Sequence, residues 1–482
     1  MHFAVIGRIT GILLMLFSVT MLTPIAVALL YGETTIPVFL LAFLLTLGAG
    51  FVMWAPSQGT RELRSRDGFM VTTLFYAGLG TFGALPLYLA GDLVPGFTDA
   101  MFESLSGLTT TGATVITGLD DAPRSLLFYR QQLQWLGGMG IIVLAVAVLP
   151  MLGIGGMQLY RAESPGPVKD TKLTPRITET AKALWYIYLS LTIACASAYW
   201  IAGMSLFDAL SHAFATVAIG GFSTHDASMG WFNNPMIETI AMIFMIISAV
   251  NFGLHFAVTQ RRAPGLYFRD TEVRFFLSLL GCVAFVVCLT LMTSHHADTP
   301  LRGLREGLFQ VVSVATTTGF TTTNFGEWPV FVQFALLFVA FVGGCAGSTA
   351  GGIKCIRVVL VYLQGLRELR RLIHPNAVFV VKVGRRPVSD RVVEAVWAFC
   401  SVYAIVFLGV LLILLAQGLD FVTAFSATGA CINNLGPGLG EVAVNYQSLG
   451  DGSKWILMFA MMLGRLEIFT LLVLFTPMYW RT

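Results

Sequence analysis

Threonine, glycine and asparagine recur in four short stretches that each follow an apolar segment. The stretches are LTTTGATV from Leu108, VAIGGFST from Val217, VATTTGFTTTN from Val314 and ACINNLGPG from Ala430. A cation sheds its hydration water only where oxygens replace it, and rings of backbone carbonyls, helped by hydroxyls, do this in potassium filters. Glycine lets successive carbonyls turn toward one axis because it adopts positive φ angles without a Cβ clash. These residue types therefore predict coordination of a dehydrated cation.

A second unusual stretch, FVGGCAGSTAGGIKCIR from Phe341, places ten small residues, 343–352, inside an apolar region. The apolar run from Trp328 to Val342 has only 15 residues, which is short of a crossing, so we expect the helix to break at mid-membrane. A phosphate-binding loop is a rival reading, but the pattern GxxxxGK[ST] is not met. A close helix crossing of the GxxxG kind is the alternative.

Arg465 lies in MMLGRLEIFTLLVLF, near the middle of the last apolar run. A cation at that depth costs several kcal/mol unless it is paired, so it indicates a functional site or, alternatively, a packing contact that anchors helices. Glu467 is two residues away and points to a different helix face, so we do not expect the two to pair.

The elements that position these residues must be membrane helices. The chain has 482 residues, of which 56% are hydrophobic and 11% charged, and its mean hydropathy is +0.78. These values predict an all-α polytopic membrane protein. The net charge of +3, spread over short basic clusters, argues against a nucleic-acid partner. The seven cysteines include no CxxC pair, which argues against a disulfide framework or a zinc site.

Ten apolar runs are long enough to cross a membrane: 9–30, 36–55, 69–90, 126–153, 182–203, 235–259, 272–293, 328–363, 392–416 and 453–477. Four further apolar segments are too short and are predicted to be re-entrant helices: 97–110, 206–218, 304–316 and 420–431. The basic residues between the runs fall on one side if the short segments enter from the other. The positive-inside rule makes these loops cytoplasmic: Arg61, Arg64, Arg66, Arg161, Lys169, Lys172, Arg176, Arg261, Arg262, Arg269, Arg367, Arg370, Arg371, Lys382, Arg385 and Arg386.

The short segments and their turns are four copies of one unit. In three copies an acidic residue precedes the glycine by thirteen positions: Asp99 and Gly112, Asp208 and Gly221, Glu306 and Gly319. In the fourth copy the same count from Asp420 reaches Asn433, whereas the glycine is Gly436, so either three residues are inserted or asparagine carbonyls take part. An acid at the start of each helix suits the positive end of its dipole and leaves the partly negative end aimed at the turn, which favours a cation.

Four irregular turns at membrane depth imply a shared cavity, since non-helical backbone is tolerated there only when buried in protein or facing water. We therefore predict a pore ringed by the four repeats. Small-residue patches where helices pack together are the alternative.

The four units, with TTTGAT, IGGFS, TTTGF and INNLGPG, resemble the Trk/Ktr/HKT superfamily of potassium transporters over nearly the whole chain. The extra helix pair before the first repeat and the NNLGPG turn are similar to the bacterial TrkH branch. The resemblance implies one key filter glycine per repeat. It also implies potassium selectivity, because some plant members that favour sodium have serine where this chain has Gly112. In the family an intramembrane loop obstructs the pore beneath the filter, and this role would fall on 343–352 with Arg465 facing it.

The predicted K+ filter comprises Thr110, Thr111, Gly112, Ile219, Gly220, Gly221, Thr317, Thr318, Gly319, Asn433, Asn434 and Gly436. The predicted gate comprises Gly343, Gly344, Gly347, Ser348, Thr349, Gly351, Gly352 and Arg465. The predicted units are an N-terminal helix pair, 1–60, and pore repeats 61–160, 161–262, 263–372 with the gating loop, and 373–482.

The hypothesis is potassium uptake across the bacterial inner membrane, with K+ as the transported ion and no organic cofactor. The resemblance adds a homodimer, a TrkA-like nucleotide-binding regulatory subunit on the cytoplasmic basic loops, and cytoplasmic termini. A proton- or sodium-coupled symporter is the alternative, with Glu103, His212 and His255 as candidate ionisable groups, although the repeats all enter from one side rather than being inverted. A membrane enzyme or scaffold has the least support, because no catalytic constellation shares one face.

Overall fold

The computed structural model describes residues 3–56, 65–91, 93–94, 96–143, 177–294, 299–384 and 386–481. These ranges are mostly helical and contain almost no sheet, which confirms the all-α fold class. Their strands are one antiparallel pair of two residues each, β1 (Lys382–Val383) and β2 (Arg386–Pro387). The predicted unit boundaries at 60 and 160 lie outside the described residues, as do Arg61, Arg64, Arg385 and the basic cluster of 161–176.

The N-terminal helices form a tight pair. The bounds are α1 (Phe3–Thr20), α2 (Leu22–Tyr31) and α3 (Ile36–Trp54), with α1 and α2 running on as one apolar stretch. Gly11 and Gly50 let α1 and α3 touch, since a Cβ on Gly11 would lie 2.6 Å from the Gly50 carbonyl oxygen. Any side chain at either position would push the two helices apart.

Each of the four predicted repeats contains a first helix, a short helix and a second helix. The first repeat has α4 (Ser65–Gly83), α5 (Leu85–Ala90), α6 (Phe97–Leu108) and α7 (Arg124–Val143). The second has α8 (Ile177–Ile201), α9 (Leu206–Ala218), α10 (Pro235–Ser248) and α11 (Phe252–Arg261). The third begins with the short α12 (Gly265–Arg269) and has α13 (Thr271–Thr293), α14 (Pro300–Ala315), α15 (Val330–Val342) and α16 (Cys355–Ile373). The fourth has α17 (Asp390–Ala416), α18 (Phe421–Ile432), α19 (Asp451–Arg465), α20 (Phe469–Leu472) and α21 (Pro477–Trp480).

Two spans predicted to be continuous are sharply bent, so the sequence prediction is wrong for these two, whereas the third interruption was predicted. The 235–259 run bends by 91° between α10 and α11, and the 453–477 run bends by 110° after α19. The 328–363 run is interrupted between α15 and α16, as the glycine content predicts. The bend after α19 is made by Glu467 and Ile468, which both have φ of 53°.

Six of the described helices, counting α1 with α2 and α4 with α5 as single stretches, are long and apolar enough to cross a membrane, and eight if each bent pair is one span. The chain is thus a multi-pass membrane protein by length and composition. Ten crossings stay a prediction. The predicted boundary at 372 falls in the last turn of α16.

Candidate functional site

The four predicted filter turns share one backbone geometry. Each short helix is followed by a residue with positive φ: Thr110 (53°), Ile219 (55°), Thr317 (63°) and Asn434 (53°). In each turn the next residue donates its N–H at 2.8 Å to the carbonyl five residues back: Thr111 to Ser106, Gly220 to Ala215, Thr318 to Ser313 and Leu435 to Ala430. This is the Schellman form of helix end. A non-glycine residue in the left-handed region destabilises the fold by about 1–2 kcal/mol. All four turns contain such a residue.

This register settles the count in the fourth turn. Gly436 follows Asn434 by two residues, as Gly112 follows Thr110. Sixteen residues separate the helix-capping residue from the glycine in three repeats: Gly96 to Gly112, Ser205 to Gly221 and Asp420 to Gly436. No residue is inserted, because Asp420 is the capping residue whereas Asp99 and Asp208 stand third in their helices. Leu435, which was not predicted, therefore occupies the place in the fourth turn that corresponds to Thr111, Gly220 and Thr318.

The third short helix corrects a second expectation. α14 begins at Pro300, four residues before the predicted start, so Glu306 stands seventh in the helix rather than in its first turn. Its carboxylate accepts a hydrogen bond from Arg302 at 2.8 Å. The expectation of an acid at the start of every short helix is therefore wrong for this repeat. Glu306 still precedes Gly319 by thirteen residues, but only because α14 is longer at its start than the other short helices.

The four predicted filter glycines close a ring between successive repeats. A Cβ on Gly112 would lie 2.0 Å from the Gly220 carbonyl oxygen, and one on Gly221 would lie 2.0 Å from that of Thr318. A Cβ on Gly319 would lie 2.1 Å from the carbonyl oxygen of Leu435, and one on Gly436 would lie 2.7 Å from that of Thr111, which returns to the first repeat. Each glycine thus faces the carbonyl that precedes the glycine of the next repeat, and no side chain fits between them.

A cavity of about 520 Å³ opens on one side of this ring. All four filter glycines line it. Thr321, Thr322 and Thr323, which continue the VATTTGFTTTN stretch beyond Gly319, line it as well. The predicted filter residues of four distant segments therefore meet at the floor of one cavity.

His225 lies on the wall of this cavity, in the loop between α9 and α10. Its Nδ1 is 2.6 Å from Asp120 Oδ1, its Nε2 is 3.5 Å from Asp208 Oδ1, and its ring stacks on Trp231 at 4.4 Å. Burial lowers the pKa of His225, but the hydrogen bonds to Asp208 and Asp120 outweigh it and raise the pKa above the usual 6.5. This imidazole therefore ties a loop of the first repeat to the second.

The polar side chains of the turns serve the backbone rather than the cavity. Thr109 and Thr111 share a hydroxyl hydrogen bond of 2.8 Å, and Thr316 and Thr318 share an equal one. Asn434 Nδ2 donates to the Thr111 hydroxyl at 2.9 Å and so joins the fourth turn to the first. The hydroxyls thus hold the turns in shape and leave backbone carbonyls as the ring's oxygens.

Asn433, which was predicted as a filter residue, stands one position before the turn proper. Its side chain accepts from the Tyr403 hydroxyl at 2.8 Å and donates to the Gly429 carbonyl at 2.9 Å. Its backbone oxygen accepts from the Gly352 N–H at 3.1 Å. The asparagine carbonyl therefore contacts the predicted gating loop and not the ring.

The loop of residues 343–354 between α15 and α16, which contains the predicted gate residues 343–352, lies against the underside of the ring. Gly351 donates its N–H to the Thr317 hydroxyl at 2.7 Å. The Thr349 hydroxyl donates to the carbonyls of Val217, at the end of α9, and Ser248, at the end of α10. The loop thus touches the second, third and fourth repeats at once.

Glu272 of α13 fastens both ends of this loop. Its carboxylate accepts the Ala346 N–H at 2.7 Å and the Ile356 N–H at 3.1 Å. Gly343, Gly347 and Gly352 have φ of 68°, 69° and 76°, so the sharp folds of the loop need glycine. The Gly344 carbonyl accepts the Cys355 N–H at 3.1 Å, and the Ser348 hydroxyl donates to the Cys345 carbonyl at 2.6 Å.

Arg465 is the last residue of α19, at the bend, and only 2% of it is exposed. Its guanidinium donates to the Thr349 carbonyl at 3.1 Å and to the Gly137 carbonyl at 3.2 Å. Among the residues that the structure describes it has no carboxylate partner, so its charge is met by carbonyl dipoles and the negative end of α19. Glu467 does not pair with Arg465, as predicted. It pairs instead with Arg357 of α16 at 2.7 Å.

Two further residues beside the turns, Arg130 and Gln134, were not predicted and stand one turn apart on α7. Arg130 is 1% exposed and pairs with Glu103 at 2.6 Å. Gln134 Nε2 donates to the Gly220 carbonyl at 2.6 Å, and Gln134 Oε1 accepts the Phe222 N–H at 3.1 Å. The signal was present, because a cation inside an apolar helix indicates a functional site by default.

Comparisons with known proteins show the family to which the chain belongs. A sequence profile of the TrkH family, described as cation transport protein, matches residues 35–482. The chain is 57% identical to the Trk system potassium uptake protein TrkH of Vibrio parahaemolyticus and 53% identical to that of Escherichia coli K12, with 100% of both chains covered in each case. It is also similar to the crystal structure of the potassium transporter TrkH from Vibrio parahaemolyticus, at 54% identity, a TM-score of 0.93 and 100% coverage of each chain. The chain therefore belongs to the TrkH family of cation transport proteins.

Proposed function

We propose that the chain takes up potassium across the bacterial inner membrane through a gated pore. The observation that carries the proposal is the closed ring in which each filter glycine packs against the carbonyl that precedes the next one. Its relatives are named potassium uptake proteins, and membership in a transport family sets aside the enzyme alternative. The transported ion is the ligand of the ring.

The ring suits a dehydrated cation because its oxygens belong to the backbone. Twelve residues would form it: Thr110, Thr111 and Gly112, Ile219, Gly220 and Gly221, Thr317, Thr318 and Gly319, and Asn434, Leu435 and Gly436. Leu435 replaces Asn433 in this set. Backbone carbonyls at fixed positions replace the lost hydration shell, whereas side chains would occupy the lumen.

The loop of residues 343–354 is the gate of this pore. Its N–H groups at Gly351 and Gly352 bind oxygens on the underside of the ring, and Arg465 holds the Thr349 carbonyl from the opposite wall. A guanidinium in the pathway also repels cations, by roughly 4 kcal/mol for an ion at about 4 Å in an effective dielectric of about 20. Deletion of residues 347–351 is expected to raise flux, and an unchanged flux would count against the gate.

The bonding of the ionisable candidates favours conduction over proton- or sodium-coupled symport. Glu103 pairs with Arg130, His212 bonds to the Asp208 carbonyl and the Ser223 hydroxyl, and His255 bonds to Tyr267 and the Ile247 carbonyl. Groups that are held in this way are built into the scaffold. Symport predicts instead that uptake collapses when a proton or sodium gradient is removed.

A homodimer and a TrkA-like nucleotide-binding subunit complete the proposal, with both termini in the cytoplasm. The partner would dock on exposed basic residues, namely Arg261, Arg262, Arg269, Arg370 and Arg371. Arg367 is excluded from this surface because it is buried and pairs with Asp390.

The experiment that tests the function is uptake of ⁸⁶Rb⁺ into proteoliposomes that contain the purified chain. Wild-type protein should take up Rb⁺ and exclude Na⁺, and Gly112→Ser should lose part of that exclusion. A well-folded wild-type preparation without uptake would refute the transport function. Sodium exclusion that is unaltered in Gly112→Ser would refute the filter assignment at that position.

A further inference from the structure

α7 carries a run of polar side chains that membrane insertion alone does not explain. Four polar residues lie close together within this apolar helix, and each is at most 6% exposed: Arg130, Gln131, Gln132 and Gln134. Burying such groups is costly unless each has a specific partner. The partners of Arg130 and Gln134 all lie in or beside the filter turns.

Arg130 is held by a buried carboxylate of the first repeat. Glu103, in the middle of α6, is 0% exposed and accepts from Arg130 Nε at 2.7 Å. The same carboxylate accepts the Thr114 hydroxyl at 3.0 Å and the Val115 N–H at 3.0 Å. Thr114 and Val115 follow Gly112 by two and three residues, so Glu103 fixes the segment that leaves the first filter turn.

The other side of Arg130 holds the second repeat. Its Nη1 donates to the Ser223 carbonyl at 3.2 Å, and its guanidinium lies 4.3 Å over the Phe222 ring. One turn along α7, Gln134 binds the Gly220 carbonyl and the Phe222 N–H. A single face of α7 therefore grips the segments on both sides of Gly221.

The four repeats differ in the side chain that lies nine residues before the glycine of the turn. Glu103 lies nine residues before Gly112 and bonds the hydroxyl two residues after it. His212 lies nine residues before Gly221 and its Nε2 is 2.9 Å from the hydroxyl of Ser223, again two residues after it. The residue at the same place in the third repeat is Gln310, whose buried side chain has no hydrogen-bond partner in the part of the chain described here. In the fourth repeat it is Ala427.

We propose that Arg130, held by Glu103 and assisted by Gln134, is a positioning residue that fixes the carbonyls of the first and second filter turns and so sets discrimination against sodium. The inference rests on the proposed potassium filter. Sodium is smaller than potassium, so a carbonyl ring accepts it only if the oxygens move inward. A charged pair in a low-dielectric interior resists such a movement more strongly than neutral hydrogen bonds do.

The test compares Rb⁺ and Na⁺ uptake by proteoliposomes of the full chain for the wild type, Arg130→Gln, Arg130→Lys and the double variant Glu103→Gln/Arg130→Gln. The matched control is Arg305→Gln, which breaks a bidentate pair with Glu238 at the far end of α14. Arg305 precedes the end of that helix by ten residues, about 15 Å at 1.5 Å per residue. Thermal unfolding in detergent reports the stability of each variant separately.

We expect Arg130→Gln to raise the Na⁺-to-Rb⁺ uptake ratio at least tenfold, with a smaller rise for Arg130→Lys, which keeps the charge but loses the fork of donors. The control should lower stability without changing the ratio. If Arg130→Gln does not fold, the double variant carries the test, since it leaves no unpaired buried charge, and Arg130→Lys carries it if neither folds. A ratio equal to that of the wild type in the folded variants refutes the positioning role, whereas absence of Rb⁺ uptake in the wild type refutes the proposed function itself.

Discussion

Alanine at the four filter glycines should damage the ring to unequal extents. All four residues have positive φ, between 78° and 96°, so each alanine carries a strain of about 1–2 kcal/mol. The overlap with the next repeat differs. A Cβ at Gly112 or Gly221 must move about 1.0 Å away from the facing carbonyl to reach a separation of 3.0 Å, one at Gly319 about 0.9 Å, and one at Gly436 only about 0.3 Å.

These displacements give an order of severity. Overpacking adds roughly 1–3 kcal/mol to the strain at the three tighter positions, where a facing carbonyl oxygen must leave its place in the ring. At Gly436 the strain dominates and the ring keeps most of its geometry. We therefore expect Gly112→Ala and Gly221→Ala to be the most damaging, Gly319→Ala nearly as damaging, and Gly436→Ala the mildest.

The assay measures initial rates of Rb⁺ uptake, inhibition of that uptake by Na⁺, and the thermal unfolding temperature of each variant. Gly281→Ala is the control, because nothing lies within 4 Å of a Cβ at that position of α13. It should leave uptake unchanged and the protein equally or slightly more stable. The ring geometry is refuted if Gly436→Ala is as damaging as Gly112→Ala, or if all four variants keep the sodium exclusion of the wild type.

Three further predictions concern the proposed gate and His225 on the cavity wall. Arg465→Gln should raise basal Rb⁺ flux at least tenfold, which corresponds to about 1.4 kcal/mol, and a lower flux in folded protein would contradict the gate. Glu272→Gln should speed hydrogen exchange at the Ala346 and Ile356 amides, because a neutral acceptor weakens each bond by about 1 kcal/mol; unchanged exchange would contradict the anchoring role. The raised pKa of His225 means that its charged form stabilises the fold at pH below 6.5, and that this contribution is lost as pH rises through the raised value. Thermal stability should therefore fall as the pH rises from 6.5 through the raised pKa, and His225→Gln should make this pH dependence weaker.

The architecture and most of the candidate site could be predicted from the sequence because both follow from strong, local signals. Apolar length marks membrane helices, and the Thr- and Gly-rich turns repeat closely enough to be aligned by eye. The bend after α19 could not be predicted, because Glu467 and Ile468 adopt positive φ against their own preference and only tertiary contacts hold them there. Leu435 was missed because its contribution is a backbone carbonyl, which any residue supplies.

Arg130 was missed for a different reason. Its role depends on which segments converge on α7, and spacing along the chain does not reveal this when the partners lie 27 and 93 residues away. Arg465, in contrast, was found because its depth in an apolar run is visible locally.

Hydrogen bonds join the predicted gating loop to the underside of the proposed filter, and this bears on how the pore would open. The N–H groups of Gly351 and Gly352 bind the Thr317 hydroxyl and the Asn433 carbonyl, so both of these oxygens already have donors. When the loop leaves, both oxygens lose their donors and face the lumen. Unpaired oxygens at that depth are costly unless an ion or water takes the donors' place. Opening of the proposed gate is therefore favoured by the ion that it admits, and raising the K⁺ concentration should speed hydrogen exchange at the Gly351 and Gly352 amides while leaving that of the helix α17 amides unchanged.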